Sequence, residues 1–218
     1  MNRAGDDPGG RKLPDDLARL LHDVRGPLNS LTMHLEVLKR TVLGDAIAED
    51  SLRTVHDQLA RLTAMLPAAF AVVALEPTET ARVDLRGIVD TALERAGGVV
   101  EVGAGAWPEV VGDATLLTLA VVELLRNAVE ATPAGGRPPQ VSAIAAGERT
   151  LLRVRDWGPG LKTVDPKLLI KLMYTTKAGH RGLGLVAVER IARLHHGELR
   201  FESPGPGTLV TLALPTAK

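Results

Sequence analysis

The sequence predicts an α+β protein in two parts: a helical hairpin that pairs with a second copy into a dimeric four-helix bundle, then an α/β two-layer sandwich. Two observations carry this. From Leu17 the apolar residues recur at alternating steps of four and three, the seam of packed helices. Beyond Asp84 the period changes, and amphipathic helical stretches mix with segments that alternate apolar and polar residues. At 218 residues the chain is long enough for two modest units with cores of their own.

Residues 1–12, "MNRAGDDPGGRK", are polar, lack the apolar centre of a secretory signal, and read as a disordered leader. The hairpin spans 13–75. Its first seam is Leu17, Leu21, Val24, Leu28, Leu31, Leu35, Leu38 and Val42. Gly44 and Asp45 interrupt it, and a second seam follows at Ala48, Leu52, Val55, Leu59, Leu62, Leu66, Ala69 and Val73. At about 1.5 Å per residue each helix is roughly 40 Å long. Two such helices cannot enclose large aliphatic side chains by themselves, so the pattern calls for a second hairpin and hence a homodimer. Pro67, inside the second seam, predicts a kink rather than a stop.

Residues 76–83 carry the proline and polar residues of a short linker. From 84 to 218, "LRGIVDTALERA" and "ATLLTLAVVELLRNAVEAT" read as helices. "QVSAIAA", "TLLRVRDW", "GELRFES" and "GTLVTLALP" alternate like strands, predominantly antiparallel, and "TPAGGRPP" is a loop. Lys+Arg and Asp+Glu both number 26, so no overall field favours nucleic acid or an anionic membrane. There is no cysteine, which excludes disulfides, thiolate metal sites and cysteine nucleophiles. The longest apolar run, from Met65, is too short to cross a bilayer. These features predict a cytoplasmic protein without a membrane span.

Five short stretches carry chemistry. "HDVRGPL" places His22, Asp23, Arg25 and Pro27 on the first helix. Pro27 cannot donate to the carbonyl of Asp23, which loosens the turn bearing His22. Asp23 can hydrogen-bond one imidazole nitrogen or take its proton, leaving the other nitrogen nucleophilic. A surface histidine beside a tolerated kink is the plainer alternative. In "ELLRNAVEA", Glu123 and Asn127 stand four apart on one helix face. An amide oxygen beside a carboxylate suits the hydrated Mg2+ of a nucleotide, while the carboxylate can orient a nucleophile or a metal-bound water. The alternative is a surface Glu with a helix-terminal Asn.

"DWGPGL" ends a strand at Asp156, with Gly158 and Gly160 beyond it. A buried Asp can accept from an exocyclic amine such as adenine N6, and glycines let backbone approach a flat ligand. A simple turn has the same appearance. "YTTKAGHRGLGL" sets Thr175, Thr176 and Lys177 before Gly179, Gly182 and Gly184, which open a helix. A glycine-rich segment feeding a helix N-terminus cradles phosphate, and Lys177 and Arg181 add charge. No GxxxxGK[ST] sequence occurs, so the site is not of Walker type. "GPGTLVTLALP" puts Gly207 and Thr208 at the start of a closing strand.

Taken together and in this order, these motifs resemble those of the sensor histidine kinases of two-component systems, within the GHKL group of ATP-binding proteins. The likeness runs from about Leu13 to the C-terminus. It implies that the hairpin is a HisKA-like dimerisation and phosphotransfer domain, and that 84–218 is a catalytic domain of Bergerat ATP-binding fold. By the same resemblance His22 takes the γ-phosphate of ATP as a phosphoramidate, Asp23 assists as base, and Arg25 positions the turn or neutralises the phosphate. Asn127 is the implied Mg2+ ligand, Glu123 assists the metal or activates water, and Asp156 accepts from adenine. Gly158, Gly160, Gly182, Leu183 and Gly184, with Thr176, Lys177 and Thr208, form the nucleotide pocket and its lid, the lid running from Leu161 to Arg181. The phosphoryl group then passes to an aspartate on a separate response regulator receiver domain, and a separate sensor protein can supply the signal.

Four positions depart from the commonest family pattern. Glu123 stands where many members have Asn. Gly26, four residues after His22, replaces the Thr or Asn that in many relatives orients water for dephosphorylating the regulator, so phosphatase activity by that route is not expected. His180 and Arg181 occupy lid positions where small residues are frequent. His34, His56, His195 and His196 lack the combination of adjacent acid and downstream proline, and read as structural or solvated. Two other readings stand beside the kinase: a histidine phosphotransfer adaptor with a decayed ATP site, and a GHKL ATPase or anti-sigma-type kinase driven by Glu123.

Overall fold

Where an aspartate precedes an apolar-periodic run, a helix begins. Asp84 and Asp113 each turn a carboxylate back onto the first free amides of the helix that follows, and these two caps set the register of the C-terminal half. The computed structural model describes residues 23–24, 26–31, 33–34, 37, 46–161 and 182–218. His22, Arg25, Thr176, Lys177 and most of the predicted lid lie outside the described residues. The chain divides into two compact units, Met1–Pro67 and Ala68–Lys218.

In the first unit Asp23, Val24, residues 26–31, Met33, His34 and Val37 are helical, Pro27 among them. A second helix, α1 (Ala46–Val73), begins in this unit and continues through Pro67, which does not stop it. Leu31 and Leu62 are buried within the unit. Other apolar side chains are not: Leu52 is 56% exposed and Leu59, one heptad on, 55%. Among the described residues, no helix is long and apolar enough to cross a membrane.

The second unit is the α/β two-layer sandwich that the alternating periods predict. Helices α2 (Leu85–Ala96), α3 (Ala114–Ala131) and α4 (Gly184–Leu194) form one layer. The other is a five-stranded sheet ordered β2-β4-β5-β7-β6, from β2 (Glu101–Val102), β4 (Gln140–Ala146), β5 (Arg149–Arg155), β6 (Glu198–Glu202) and β7 (Leu209–Pro215). Only β2 runs parallel to its neighbour β4; the other pairs are antiparallel. A separate ribbon pairs β1 (Ala81–Val83) with β3 (Val110–Gly112). Residues 81–83, read from sequence as linker, are thus a strand.

Alternation decides which side chains meet the helices. Leu152 and Val154 of β5 face Leu212 and Val210 of β7 across the ladder, and with Leu214 and Val141 they meet Leu117, Val121, Leu124 and Leu125 of α3. From α4, Val188 and Ile191 complete this core, both wholly buried. Opposite on β5 lie Arg149, Leu151, Arg153 and Arg155, a mixed face that puts three guanidinium groups away from the helices.

Asp113 binds more than its own helix. Oδ1 accepts from the amides of Thr115 and Leu116, and Oδ2 accepts from the amide and hydroxyl of Thr78. Burial alone would raise this carboxyl, but the hydrogen bonds from Leu116, Thr78 and Glu79 outweigh it and hold it well below the usual carboxylate range. With the folded-state value below the unfolded one, the stabilisation is complete above about pH 4 and fades as pH falls further. Asp113→Ala is therefore expected to cost about 1–2 kcal/mol at pH 7, with a smaller deficit at pH 3. Urea unfolding at the two pH values checks this, and an equal deficit at both contradicts it.

Candidate functional site

Asp156, the first residue past β5, is buried at 6% exposure. Its backbone N–H donates to the Thr208 carbonyl at 2.9 Å. Its side-chain Oδ1 accepts from the amides of Gly158, at 2.9 Å, and Thr208, at 3.1 Å. Among the described residues nothing donates to Oδ2, which is therefore an acceptor available to a ligand N–H.

Glycines let the three segments around this carboxylate close up. Gly207 has φ +86°, and a Cβ there would stand 2.0 Å from the Asp156 carbonyl oxygen. A Cβ on Gly158 would stand 2.3 Å from the carbonyl oxygen of Ala131, the last residue of α3. The end of β5, the turn before β7 and the C-terminus of α3 thus converge on Asp156. Behind them Trp157, unnoticed in the sequence reading, donates from Nε1 to the Pro138 carbonyl at 3.0 Å. The guanidinium groups of Arg137 and Arg155 lie 4.1 and 4.9 Å from its ring centre. Only the Gly-Pro neighbourhood of "DWGPGL" and "TPAGGRPP" hinted that these loops meet.

One turn back along α3 from Ala131 is Asn127, and a further turn back is Glu123. Both face the start of α4: a Cβ on Gly184 would stand 2.5 Å from Glu123 Oε2 and 3.7 Å from Asn127 Nδ2. The other Glu123 oxygen, Oε1, accepts from Arg126. Leu183 is the N-cap of α4 and supplies no side-chain hydrogen bond, so the first amides of the helix keep their partial positive charge for an external anion. Gly182, at φ +66°, takes the backbone into that cap.

The structure thus brings together Glu123, Asn127, Gly182, Leu183 and Gly184 at one end, and Asp156, Gly158, Gly160, Gly207 and Thr208 at the other, with α3 linking them. Asp23 is helical and half-buried in the first unit. A separate cavity of about 610 Å³ opens at the N-termini of α2 and α3, lined by Thr78, Asp84, Thr91, Asp113 and neighbours, and none of the sequence-predicted site residues lines it.

Residues 112–218 match a protein family described as histidine kinase-, DNA gyrase B-, and HSP90-like ATPase. They are a domain of that family. Over most of its length the chain is similar to proteins named as histidine kinases. It is 30% identical over 203 residues to the signal transduction histidine-protein kinase/phosphatase MprB of Mycobacterium sp. (strain KMS), covering 85% of this chain and 39% of that protein. Sporulation kinase B of Bacillus subtilis (strain 168) is 28% identical over 207 residues, covering 91% of this chain and 48% of its own length. The chain therefore spans less than half the length of these curated relatives. Among solved structures, the mycobacterial sensor histidine kinase MprB superposes with a TM-score of 0.56 at 28% identity, over 63% of this chain and 98% of that one. The ATP-binding domain of PrrB from Mycobacterium tuberculosis gives 0.53 at 26%, over 64% and 98%.

The tight glycine contacts of this ATPase-family domain yield a direct test. Gly207→Ala sets a methyl group against the Asp156 backbone in a left-handed conformation and is expected to cost about 2–3 kcal/mol. Thermal unfolding measures it, and a stability equal to wild type would mean that the turn is not held as described.

Proposed function

We propose that the chain is an ATP-dependent protein histidine kinase that phosphorylates itself on His22 and passes the phosphoryl group to an aspartate of a separate response regulator receiver domain. The observation that carries the ATP half is Asp156: one carboxylate oxygen saturated by two backbone amides, the other left as an acceptor in a glycine-lined recess. An intact acceptor of this kind disfavours the adaptor with a decayed ATP site. The acceptor half rests on the "HDVRGPL" turn and on the likeness to histidine kinases.

In this reading Asp156 accepts from the exocyclic amine of adenine and selects the base. The free amides at the start of α4 bind phosphate oxygens, with Thr176 and Lys177 completing the set. Among the described residues nothing hydrogen-bonds the Asn127 side-chain amide, and its oxygen, with Glu123 beside it, fits a hydrated Mg2+, which takes few protein ligands and shares the nucleotide phosphates. When bound, Mg2+ neutralises phosphate charge. His22 attacks the γ-phosphorus through an imidazole nitrogen: the N–P bond forms, the P–O bond to ADP breaks, and the ring proton passes to Asp23. Residues 13–75 serve as the dimerisation and phosphotransfer domain, 76–80 as linker, and the chain from strand β1 onward, 81–218, as catalytic domain. A separate sensor protein is a further candidate partner.

Labelling with γ-labelled ATP and Mg2+ tests the reading. Wild-type protein is expected to carry acid-labile, alkali-stable phosphate that is absent from His22→Ala. Asp156→Ala should weaken ATP binding at least tenfold, about 1.4 kcal/mol or more, whereas His22→Ala should bind ATP as wild type does. Label that persists in His22→Ala, or phosphoserine on a partner with His22 dispensable, would favour the ATPase or anti-sigma-type reading. No ATP binding at millimolar concentration would favour the adaptor.

The homodimer has its own support in Leu52 and Leu59, whose exposure leaves an apolar strip on α1. Light scattering at micromolar concentration should give twice the chain mass for wild type and a single chain mass for Leu52→Glu/Leu59→Glu. A monomeric wild type would refute the bundle.

A further inference from the structure

The residues that lead into the ATP-binding domain are held by groups that the proposed chemistry does not use. Thr78 donates its backbone N–H and its hydroxyl to Asp113 Oδ2 at 2.9 and 3.0 Å, and the Glu79 N–H adds a contact at 3.4 Å. Behind the carboxylate, the Asp113 N–H donates to Nε2 of His195 at 2.8 Å. A backbone N–H can only donate, so Nε2 is the acceptor and Nδ1 carries the proton, which it gives to the Ile191 carbonyl at 2.8 Å. The ring is buried, and a Cβ on Gly112 would stand 2.4 Å from its Cδ2, so only glycine admits it there. A second tie lies higher on the same helix, where Arg190 Nη2 donates to the Leu75 carbonyl at 3.5 Å.

All of this hangs on α4. Its first residue, Gly184, faces Glu123 and Asn127; its middle holds Leu75 through Arg190; the residue after its end, His195, secures Asp113 and with it Thr78. Eleven helical residues at about 1.5 Å each make a rod of roughly 16 Å. One rigid element therefore carries the phosphate end of the pocket and the point where the linker leaves the domain.

We infer that His195 and Thr78 are positioning residues for phosphoryl transfer: acting through Asp113, they fix the exit of the linker in the same rigid frame as the phosphate end of the nucleotide pocket. The kinetic half of this inference rests on the kinase reading. His22 lies upstream of the linker, so its encounter with the γ-phosphate is that of two tethered groups. Releasing residues 75–80 adds about 3.3 Å of slack per residue. Slack lowers the effective concentration of the acceptor and blurs the approach geometry. It does not touch Asp156, Asn127 or Gly184, so nucleotide affinity is unaffected.

The experiment uses the full chain with Thr78→Val, Thr78→Ser and His195→Ala. Amide hydrogen exchange across residues 75–80, the rate of His22 labelling and the KM for ATP are measured on each. Thr78→Val and His195→Ala are expected to exchange faster in this segment and to label His22 about three- to tenfold more slowly, with KM unchanged. Thr78→Ser, which keeps the hydroxyl, should restore both. If His195→Ala does not fold, Thr78→Val alone decides, since Thr78 is exposed and its hydroxyl is outside the core. Unchanged exchange, a labelling rate equal to or above wild type, or a KM that rises in step with the loss of rate would each overturn the positioning role. Absence of His22 labelling in wild type would defeat the kinase reading instead, and exchange at 75–80 would still show whether these residues hold the linker.

Discussion

The carboxylate of Asp113 is the constraint on which the C-terminal unit depends. Both of its oxygens and its own amide are engaged, so α3 can start at only one residue and point in only one direction. That helix supplies the largest part of the core through Leu117, Val121, Leu124 and Leu125, and it carries the part-buried Glu123 and Asn127 along the margin of that face. A cap that slipped by one residue would rotate every later side chain by about 100°, burying the polar pair and exposing the core. The face that carries this polar pair and the packing face are thus set by the same hydrogen bonds.

Glycine does for the site what Asp113 does for the helix. At Gly158, Gly184 and Gly207 the absent Cβ allows backbone or carboxylate oxygen to approach within a distance that no side chain tolerates. The recess around Asp156 is therefore built mainly of main chain, whose donors and acceptors cannot be removed by substitution. Next to it is a different construction, the Trp157 indole with two guanidinium groups over its ring, which ties the loop after α3 to the end of β5.

Helices α2 and α3 and strands β4 to β7 were legible because each is long enough to show its period, and the motif residues on them fall where the periods place them. Strands β1, β2 and β3 have three, two and three residues, too few for alternation to be visible, and β1 was absorbed into a polar stretch read as linker. The contact between Asp113 and His195 joins positions 82 apart, and nothing local in "LHHGE" announces a buried acceptor. The Gly-Asp pair before "ATLLTLAVVELL" was a helix-start signal that could have drawn attention to Asp113. What it could not reveal is that the same carboxylate also receives Thr78. For His22, Arg25, Thr176 and Lys177 the warrant remains the sequence.

The margins of the sheet have a consequence for solubility. One edge, β2, exposes a ladder of only two residues. The other, β6, sends Glu198, Arg200 and Glu202 outward in alternation, with Arg200 paired to Glu198. An incoming strand would have to strip water from that charged row on every second residue to gain its backbone hydrogen bonds. Edge-to-edge polymerisation, the common failure of an open sheet, is thereby discouraged even where the protein is locally concentrated.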